Sequence, residues 1–491
     1  MGQTLKALLQ SRWGDNWLIG PSRQEFWHCL EKLIPVFAEY REFCGSYRPS
    51  VLIAEPDPRQ FLAACLAAWS EGCTVVLANS RWGENERHQV QALVAPAWGN
   101  SLVPSIAAYP CRVAEGEPGQ LLIPTGGSSG QIKFAIHSWE RLRVSVEGFC
   151  AHFGVEHVHA YCVLPLFHVS GLMQALRVLA TGGQLALQPY GDLKRGEFLP
   201  LPPDGFLSLV PTQLQALLAL GGEFIPWLRS FRAVLLGGAP AGKSLLDQAQ
   251  ALGIPVALTY GMTETAAQVA TLLPEEFLAG QRSSGRPLPH ASITIFNDQG
   301  QAQPTGQPGR VVIWARSLAQ GYLGGGGGIV VGSAHPTGMG NGGCAGDVDL
   351  VVGSAHPTGG EPFVTDDVGY LNAGGYLHIV GRSSTKIITG GENVFPEEIE
   401  AALLATGAVG DACVVGLECD RWGQQLCALV VMDSPMPLND LAERLRSQLA
   451  PYKLPKQWIL VSDLPRTAQG KLSRPQSLAL AQRILAHRYS I

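Results

Sequence analysis

The chain has 491 residues, with 35 basic against 40 acidic side chains and a formal charge of −5, so it offers no electrostatic footprint for nucleic acid. Hydrophobic residues make up 46% and charged residues 15%, which excludes a disordered chain. A single core stops growing at about 250–300 residues, so at least two domains are expected.

The 11 cysteines are odd in number and lack a C-x-x-C pair. That argues against a disulfide framework or a zinc ribbon and for a reducing, cytoplasmic setting. The opening MGQTLKALLQSRWGDNW has no long apolar run. No charge-free apolar stretch approaches the roughly 18–20 residues of a membrane span, so neither a secretory leader nor a span is expected.

In chain order, a helical stretch lies near Ile34, and apolar or β-branched runs follow at Val51 to Ala54, Thr74 to Leu77, Tyr161 to Leu164, Ala233 to Leu236 and Pro255 to Thr259. Strands separated by helices predict an α/β sheet with crossover connections. The apolar Leu121-Leu122-Ile123 leads into Pro124-Thr125-Gly126-Gly127-Ser128-Ser129-Gly130-Gln131-Ile132-Lys133. Glycines let backbone N–H groups crowd an anion, hydroxyls add donors and Lys133 adds charge, so a phosphate cradle is one reading. It is not a Walker A loop, because Lys133 leads into the strand-like Phe134-Ala135-Ile136 rather than a helix. Gly126-x-Ser128-x-Gly130 also spells a nucleophile elbow, which would make Ser128 the centre of a serine hydrolase. Pro124 in the approach and β-branched residues after the turn speak against an elbow, and a plain flexible connection is the third reading.

His152, His157 and His159 have no acidic or cysteine partner to complete a metal site. Leu172, Leu176 and Leu179 form a helical stripe expected in the core. Further on, VVGSAHPTG occurs at Val330 to Gly338 and again at Val351 to Gly359, beyond the five glycines Gly324 to Gly328. Two copies are too few for a solenoid, so 324–362 reads as a duplicated surface loop, with His335 and His356 as passengers. After Gly381 a smaller unit begins. Pro396 sits at an early helical position with Glu397 and Glu398 where the helix dipole favours them. Strand candidates Ala412 to Gly416 and Leu426 to Met432 and a helix from Leu438 to Leu449 come next.

The Gly-rich segment, Tyr260-Gly261-Met262-Thr263-Glu264-Thr265, Thr365-Asp366-Asp367-Val368-Gly369-Tyr370-Leu371, Gly381-Arg382 and Pro465-Arg466-Thr467-Ala468-Gln469-Gly470-Lys471 resemble, in this order, the motifs of the acyl-adenylate-forming superfamily. The resemblance covers nearly the whole chain. It implies a large multi-sheet α/β domain over 1–381 and a small mobile α+β domain over 382–491, with ATP, Mg²⁺ and coenzyme A as cofactor and co-substrates. In that family a carboxylate attacks the α-phosphate of ATP, pyrophosphate leaves, and a thiol then displaces AMP.

The resemblance assigns Thr125, Gly126, Gly127, Ser128, Ser129, Gly130 and Lys133 to the departing phosphates, Gly238, Ala239 and Tyr260 to adenine, and Thr263 to the α-phosphate. It assigns Glu264 to Mg²⁺, Asp367 with Arg382 to ribose, Lys471 to the adenylation step, and Gly390 and Gly391 to the thiol tunnel. Two departures stand out: Asp366 where the family's usual Thr-Gly-Asp has glycine, and Ser384 where many relatives carry Asp or Lys near the hinge.

Leu164-Pro165-Leu166-Phe167-His168-Val169-Ser170-Gly171-Leu172 with Arg177, the segment around Ser208, and Ala267-Gln268 look like the acid pocket of o-succinylbenzoyl-CoA synthetases of menaquinone or phylloquinone synthesis. An arginine in an apolar helix could pair with a second, unreactive carboxylate. The bland alternative puts Arg177 on the surface and packs His168 in the core. An aryl- or medium-chain acyl-CoA ligase is the neighbouring reading. The expected partners are small molecules, and a homodimer is compatible with the sequence.

Overall fold

The computed structural model describes residues 4–20, 23–45, 47–113, 117, 119–126, 131–324, 328–330, 362–389, 392–419, 423–466 and 472–489. Gly127, Ser128, Ser129, Gly130, Gly390, Gly391, Lys471, His335, His356 and nearly all of the duplicated segment lie outside them.

Among the described residues the first sheet has eight strands, in the spatial order Leu18–Ile19, Leu185–Leu187, Ala160–Cys162, Phe206–Leu209, Ala233–Leu236, Val256–Met262, Ala267–Thr271 and Arg286–Pro287. Every pairing from Leu18–Ile19 to Val256–Met262 is parallel. The apolar runs Thr74 to Leu77 and Ala233 to Leu236 are strands with the expected bounds. Both are buried throughout, as parallel strands covered on two faces must be.

A second sheet of seven strands orders Gly328–Val330, Tyr322–Gly324, Ile132–His137, Leu121–Gly126, Thr74–Leu77, Ser50–Ile53 and Ala108–Pro110. Helices Pro58–Ser70, Trp139–Phe153 and Val169–Thr181 share one core with strands of both sheets. Between Val169 and Leu179 only Ser170 is exposed, so this helix is apolar nearly all round and central. Leu172, Leu176 and Leu179 are core residues, and Arg177 is no surface residue: it is 3% exposed.

Leu121–Gly126 and Ile132–His137 pair antiparallel, Thr125 opposite Lys133 and Gly126 opposite Ile132. The Gly/Ser segment therefore joins strand to strand. No helix leaves the turn, as an elbow requires, and the serine-hydrolase reading of Ser128 is excluded. Pro124 does not interrupt the strand as expected. Pairing with Thr74–Leu77 stops at Leu122, so Pro124 lies where one strand edge needs no donor.

A third, antiparallel sheet orders Ala291–Phe296, Gly309–Ala315, Phe363–Leu371 and Leu377–Arg382. The turn Ser383–Thr385 comes next, and from Ile387–Thr389 onward the chain builds a separate five-stranded sheet with Glu392–Val394, Gly423–Met432, Val409–Cys419 and Gln457–Leu460. Pro396 opens its first helix, Pro396–Ala405, as expected. Arg474, at the start of helix Arg474–Tyr489, locks this unit together: it ion-pairs with Glu397 at 2.9 Å and Glu400 at 2.8 Å of helix Pro396–Ala405 and donates to Val414 O of strand Val409–Cys419 at 3.1 Å.

Candidate active site

Parallel strands present the carboxyl ends of successive strands on one side, where α/β folds bind ligands. Here Phe206–Leu209 carries Ser208, Ala233–Leu236 runs into Gly238 and Ala239, and Val256–Met262 ends in Tyr260 to Met262. Gly238 has φ +80°, a backbone conformation that suits glycine, while Ala239 beside it is exposed. Ser208 is 8% exposed.

The next residues, Thr263–Thr265, form one tight turn held from several sides. Thr265 Oγ1 accepts from Met262 N–H at 2.9 Å, Ser317 Oγ donates to Thr265 O at 3.0 Å, and Ala319 N–H donates to Glu264 O at 2.7 Å. His137 Nε2 meets Thr263 O at 2.8 Å. Burial pushes His137 down to about 4, so the ring is neutral and donates to this carbonyl. Ala266 and Ala267 come next at φ 56° and 77°, left-handed backbone that alanine tolerates only when its surroundings impose it.

This rigid turn aims Glu264 at the second sheet. Its Oε1 accepts from Tyr322 OH at 2.8 Å and from Thr125 Oγ1 at 3.3 Å. Lys133 Nζ lies 5.6 Å from the Tyr322 ring. Burial, then the Glu264 charge, raises the Tyr322 pKa, so the phenol stays a donor. Among the described residues both hydrogen bonds to the Glu264 carboxylate go to Oε1. A carboxylate with one oxygen fixed and the other unengaged suits a hard cation such as Mg²⁺. The described residues hold no cluster of three or more metal-ligating side chains.

The third sheet closes the cleft. Asp367, 8% exposed, accepts from Tyr260 OH at 2.7 Å and from Arg382 Nε at 3.2 Å. Arg382 faces it across the strand pair. Asp367 N–H donates to Thr365 Oγ1 at 3.1 Å. Burial, then Asp367, raises the Tyr260 pKa. Thus three sheets meet, joined through Tyr260 to Glu264.

His168 is the residue before helix Val169–Thr181. It is half-buried and its ring lies 4.4 Å from that of Phe167, so it is not a core histidine. Further along this helix, the Arg177 guanidinium lies 4.2 Å from the Phe149 ring centre and donates to Gln268 Oε1 at 3.1 Å. Its Nε has no partner among the described residues, nor has either ring nitrogen of the buried His290. A Cβ on Gly148 would lie 1.8 Å from His290 Nδ1, so glycine there makes room for the ring. Burial lowers Arg177 to about 10, and burial with the Arg177 charge takes His290 to about 4.

Thr125, Lys133, Thr263, Glu264, Tyr260, Asp367 and Arg382 therefore come together, while Arg177, on helix Val169–Thr181, meets Gln268 of strand Ala267–Thr271. Sequence reasoning missed Tyr322, His137, Phe149 and His290. Each acts through a partner more than a hundred residues away or on another element, and none carries a local signal beyond alternation along a strand or helix.

Residues 105–323 match the model of the AMP-binding enzyme family and 398–471 that of the AMP-binding enzyme C-terminal domain. The chain is 35% identical over 357 residues to a 2-succinylbenzoate–CoA ligase of Geobacillus sp. (strain WCH70), covering 72% of this chain and 67% of that one. It superposes on the o-succinylbenzoate CoA synthetase of Bacillus subtilis in complex with the acyl-adenylate intermediate OSB-AMP with a TM-score of 0.75, at 25% identity over 96% of this chain and 98% of that one. Against a double mutant of the same enzyme bound with its product analogue OSB-NCoA the TM-score is 0.58, at the same identity and coverage. With matches in both parts of the chain and a cleft built from residues of three sheets, the chain belongs to the AMP-binding enzyme family.

Proposed function

We propose that the chain is an AMP-forming acid:CoA ligase whose acid is o-succinylbenzoate, giving o-succinylbenzoyl-CoA for menaquinone or phylloquinone synthesis. The observation that carries this reading is that the Thr125–Glu264–Tyr322 contacts, with Lys133 beside them, and the Tyr260–Asp367–Arg382 group are joined through the short segment Tyr260 to Glu264. The 35% identity to a 2-succinylbenzoate–CoA ligase supports the choice of acid.

In the first half-reaction a carboxylate oxygen bonds to the α-phosphorus of ATP and the bond to the β-phosphate breaks, releasing pyrophosphate. Thr125 and Lys133, with the Gly126 to Gly130 segment, hold the leaving phosphates. Thr263 meets the α-phosphate, and Lys471 bridges carboxylate and phosphate oxygens. Tyr260, Gly238 and Ala239 border adenine. Asp367 uses two acceptor sites on Tyr260 and Arg382, and a carboxylate has about four, which leaves room for the ribose hydroxyls. Glu264 would hold Mg²⁺, which would neutralise phosphate charge. In the second half-reaction the CoA thiol, entering beside Gly390 and Gly391, bonds to the acyl carbon and AMP departs. His168 and Ser208 border the acid, and Arg177 receives the carboxylate that is not activated.

We place the lobe boundary at the turn after Arg382. The described cysteines are all free thiols, which fits a cytoplasmic setting, and among the described residues no helix is long and apolar enough to cross a membrane. Incubation with ATP, CoA and o-succinylbenzoate should release AMP and pyrophosphate; ADP as product would refute adenylation. A panel of aryl and medium-chain acids decides the acid, and a better acid than o-succinylbenzoate would displace it.

A further inference from the structure

Two neighbouring carboxylates on strand Phe363–Leu371 do different work. Asp367 faces the cleft, and Asp366, one residue earlier, points to the opposite side. There Ser384 N–H donates to Asp366 Oδ1 at 3.1 Å, and the Ser384 hydroxyl donates to Oδ2. Ser384 is the middle residue of the turn Ser383–Thr385, where the chain passes from the four-stranded to the five-stranded sheet. From the other side, Thr385 Oγ1 donates to Glu397 Oε1 at 2.9 Å, an oxygen that Arg474 Nη2 also holds at 2.9 Å.

The connector is thus gripped by one carboxylate from each lobe. Glu397 and Arg474 belong to the small lobe and travel with it. The Asp366–Ser384 contact crosses from the large lobe to the turn, so a rotation of the small lobe that carries residues 383–385 with it breaks this contact. The arrangement in which it is made is nearer to the acyl-adenylate complex of the Bacillus subtilis relative than to the product-analogue complex, with TM-scores of 0.75 and 0.58.

We propose that Asp366 is a positioning residue: by capping the Ser383–Thr385 turn it holds the small lobe in the adenylation arrangement, and it releases the turn before thioester formation. The functional consequence rests on the ligase reading above; the grip itself does not.

The test uses the full chain and two readouts. The first is trypsin cleavage after Arg382 and Lys386 without substrates, which needs no activity. Asp366→Ala should speed it about tenfold, the loss of roughly one net hydrogen bond; Asp366→Asn, which keeps an acceptor for Ser384 N–H, should recover most of the protection. An unchanged cleavage rate overturns the grip whether or not the chain is a ligase. The second readout compares pyrophosphate release from ATP and o-succinylbenzoate with thioester formation from supplied acyl-adenylate and CoA. Asp366→Ala should lower the ratio of the first rate to the second about tenfold, and Ser384→Ala, which keeps the backbone bond, should lower it less. Equal loss of both half-reactions, or an unchanged ratio, overturns the positioning role.

Discussion

Replacing Arg177 with methionine separates function from stability, because this arginine is costly to bury. Its pKa is pushed down to about 10 from 12.5, chiefly by burial. At about 1.4 kcal/mol per unit, the charged form is disfavoured by roughly 3 kcal/mol relative to an exposed arginine. Between the two values the folded chain binds fewer protons than the unfolded one, so stability rises with pH only across that alkaline window, and at neutral pH the full cost is borne. Against it stand the Phe149 contact at 4.2 Å, worth about 2 kcal/mol when desolvated, and the Gln268 bond at 3.1 Å, worth about 1.5 kcal/mol.

Arg177→Met loses the two gains and removes the cost, and its volume fits the site. Urea unfolding should therefore shift by no more than about 1 kcal/mol, whereas breaking a buried pair typically costs about 3–5 kcal/mol. Steady-state pyrophosphate release should respond quite differently. A lost charge-assisted hydrogen bond of about 1.5–3 kcal/mol raises KM for o-succinylbenzoate roughly 10- to 150-fold, while KM for a benzoate-like monoacid stays nearly level. A stability loss above about 3 kcal/mol, or an equal rise for both acids, would show that Arg177 is structural and remove it from the acid pocket.

Lys471→Ala should abolish adenylate formation while thioester formation from supplied acyl-adenylate persists; half-reaction assays read both, and equal loss counts against the lysine's role. His137, at about 4 in the folded chain against 6.5 ordinarily, withholds a proton that the unfolded chain accepts. Stability is therefore complete above pH 6.5 and falls by roughly 3 kcal/mol as pH drops toward 4. Urea midpoints of His137→Gln should show a flatter decline over that window, with His290, His152, His159 and His378, whose pKa values burial also lowers, contributing to the remainder. Arg474→Met strands Glu400, which is 9% exposed, and Glu397, and should destabilise the C-terminal unit by about 3–5 kcal/mol; an unaltered unfolding curve would mean the ion network contributes nothing.

Much of the architecture was legible because its signals are local. Buried parallel strands read as unbroken apolar runs at Thr74 to Leu77 and Ala233 to Leu236, and Pro396 with the glutamates after it marks a helix start wherever it occurs. Tyr260, Glu264 and Asp367 stood out through motif order, and the structure brings them together through the turn at Thr263–Thr265 and the Tyr260–Asp367 hydrogen bond. Neither Pro124 nor the Gly/Ser turn could be read alone. Whether a proline interrupts a strand depends on whether its edge has a neighbour, and whether Gly-x-Ser-x-Gly forms an elbow depends on whether a helix or a strand leaves the turn.

Tertiary structure alone decided the partners. Tyr322 on Glu264, His137 on Thr263, Phe149 and Gln268 around Arg177, and Asp366 on Ser384 are contacts between residues far apart in sequence or on different elements. Such pairings arise when three sheets close on one another, and no periodicity within a short stretch of chain encodes them. The cost of burying Arg177 is equally a property of the packing around the helix that carries it, since the same arginine on an exposed helix would lose no hydration.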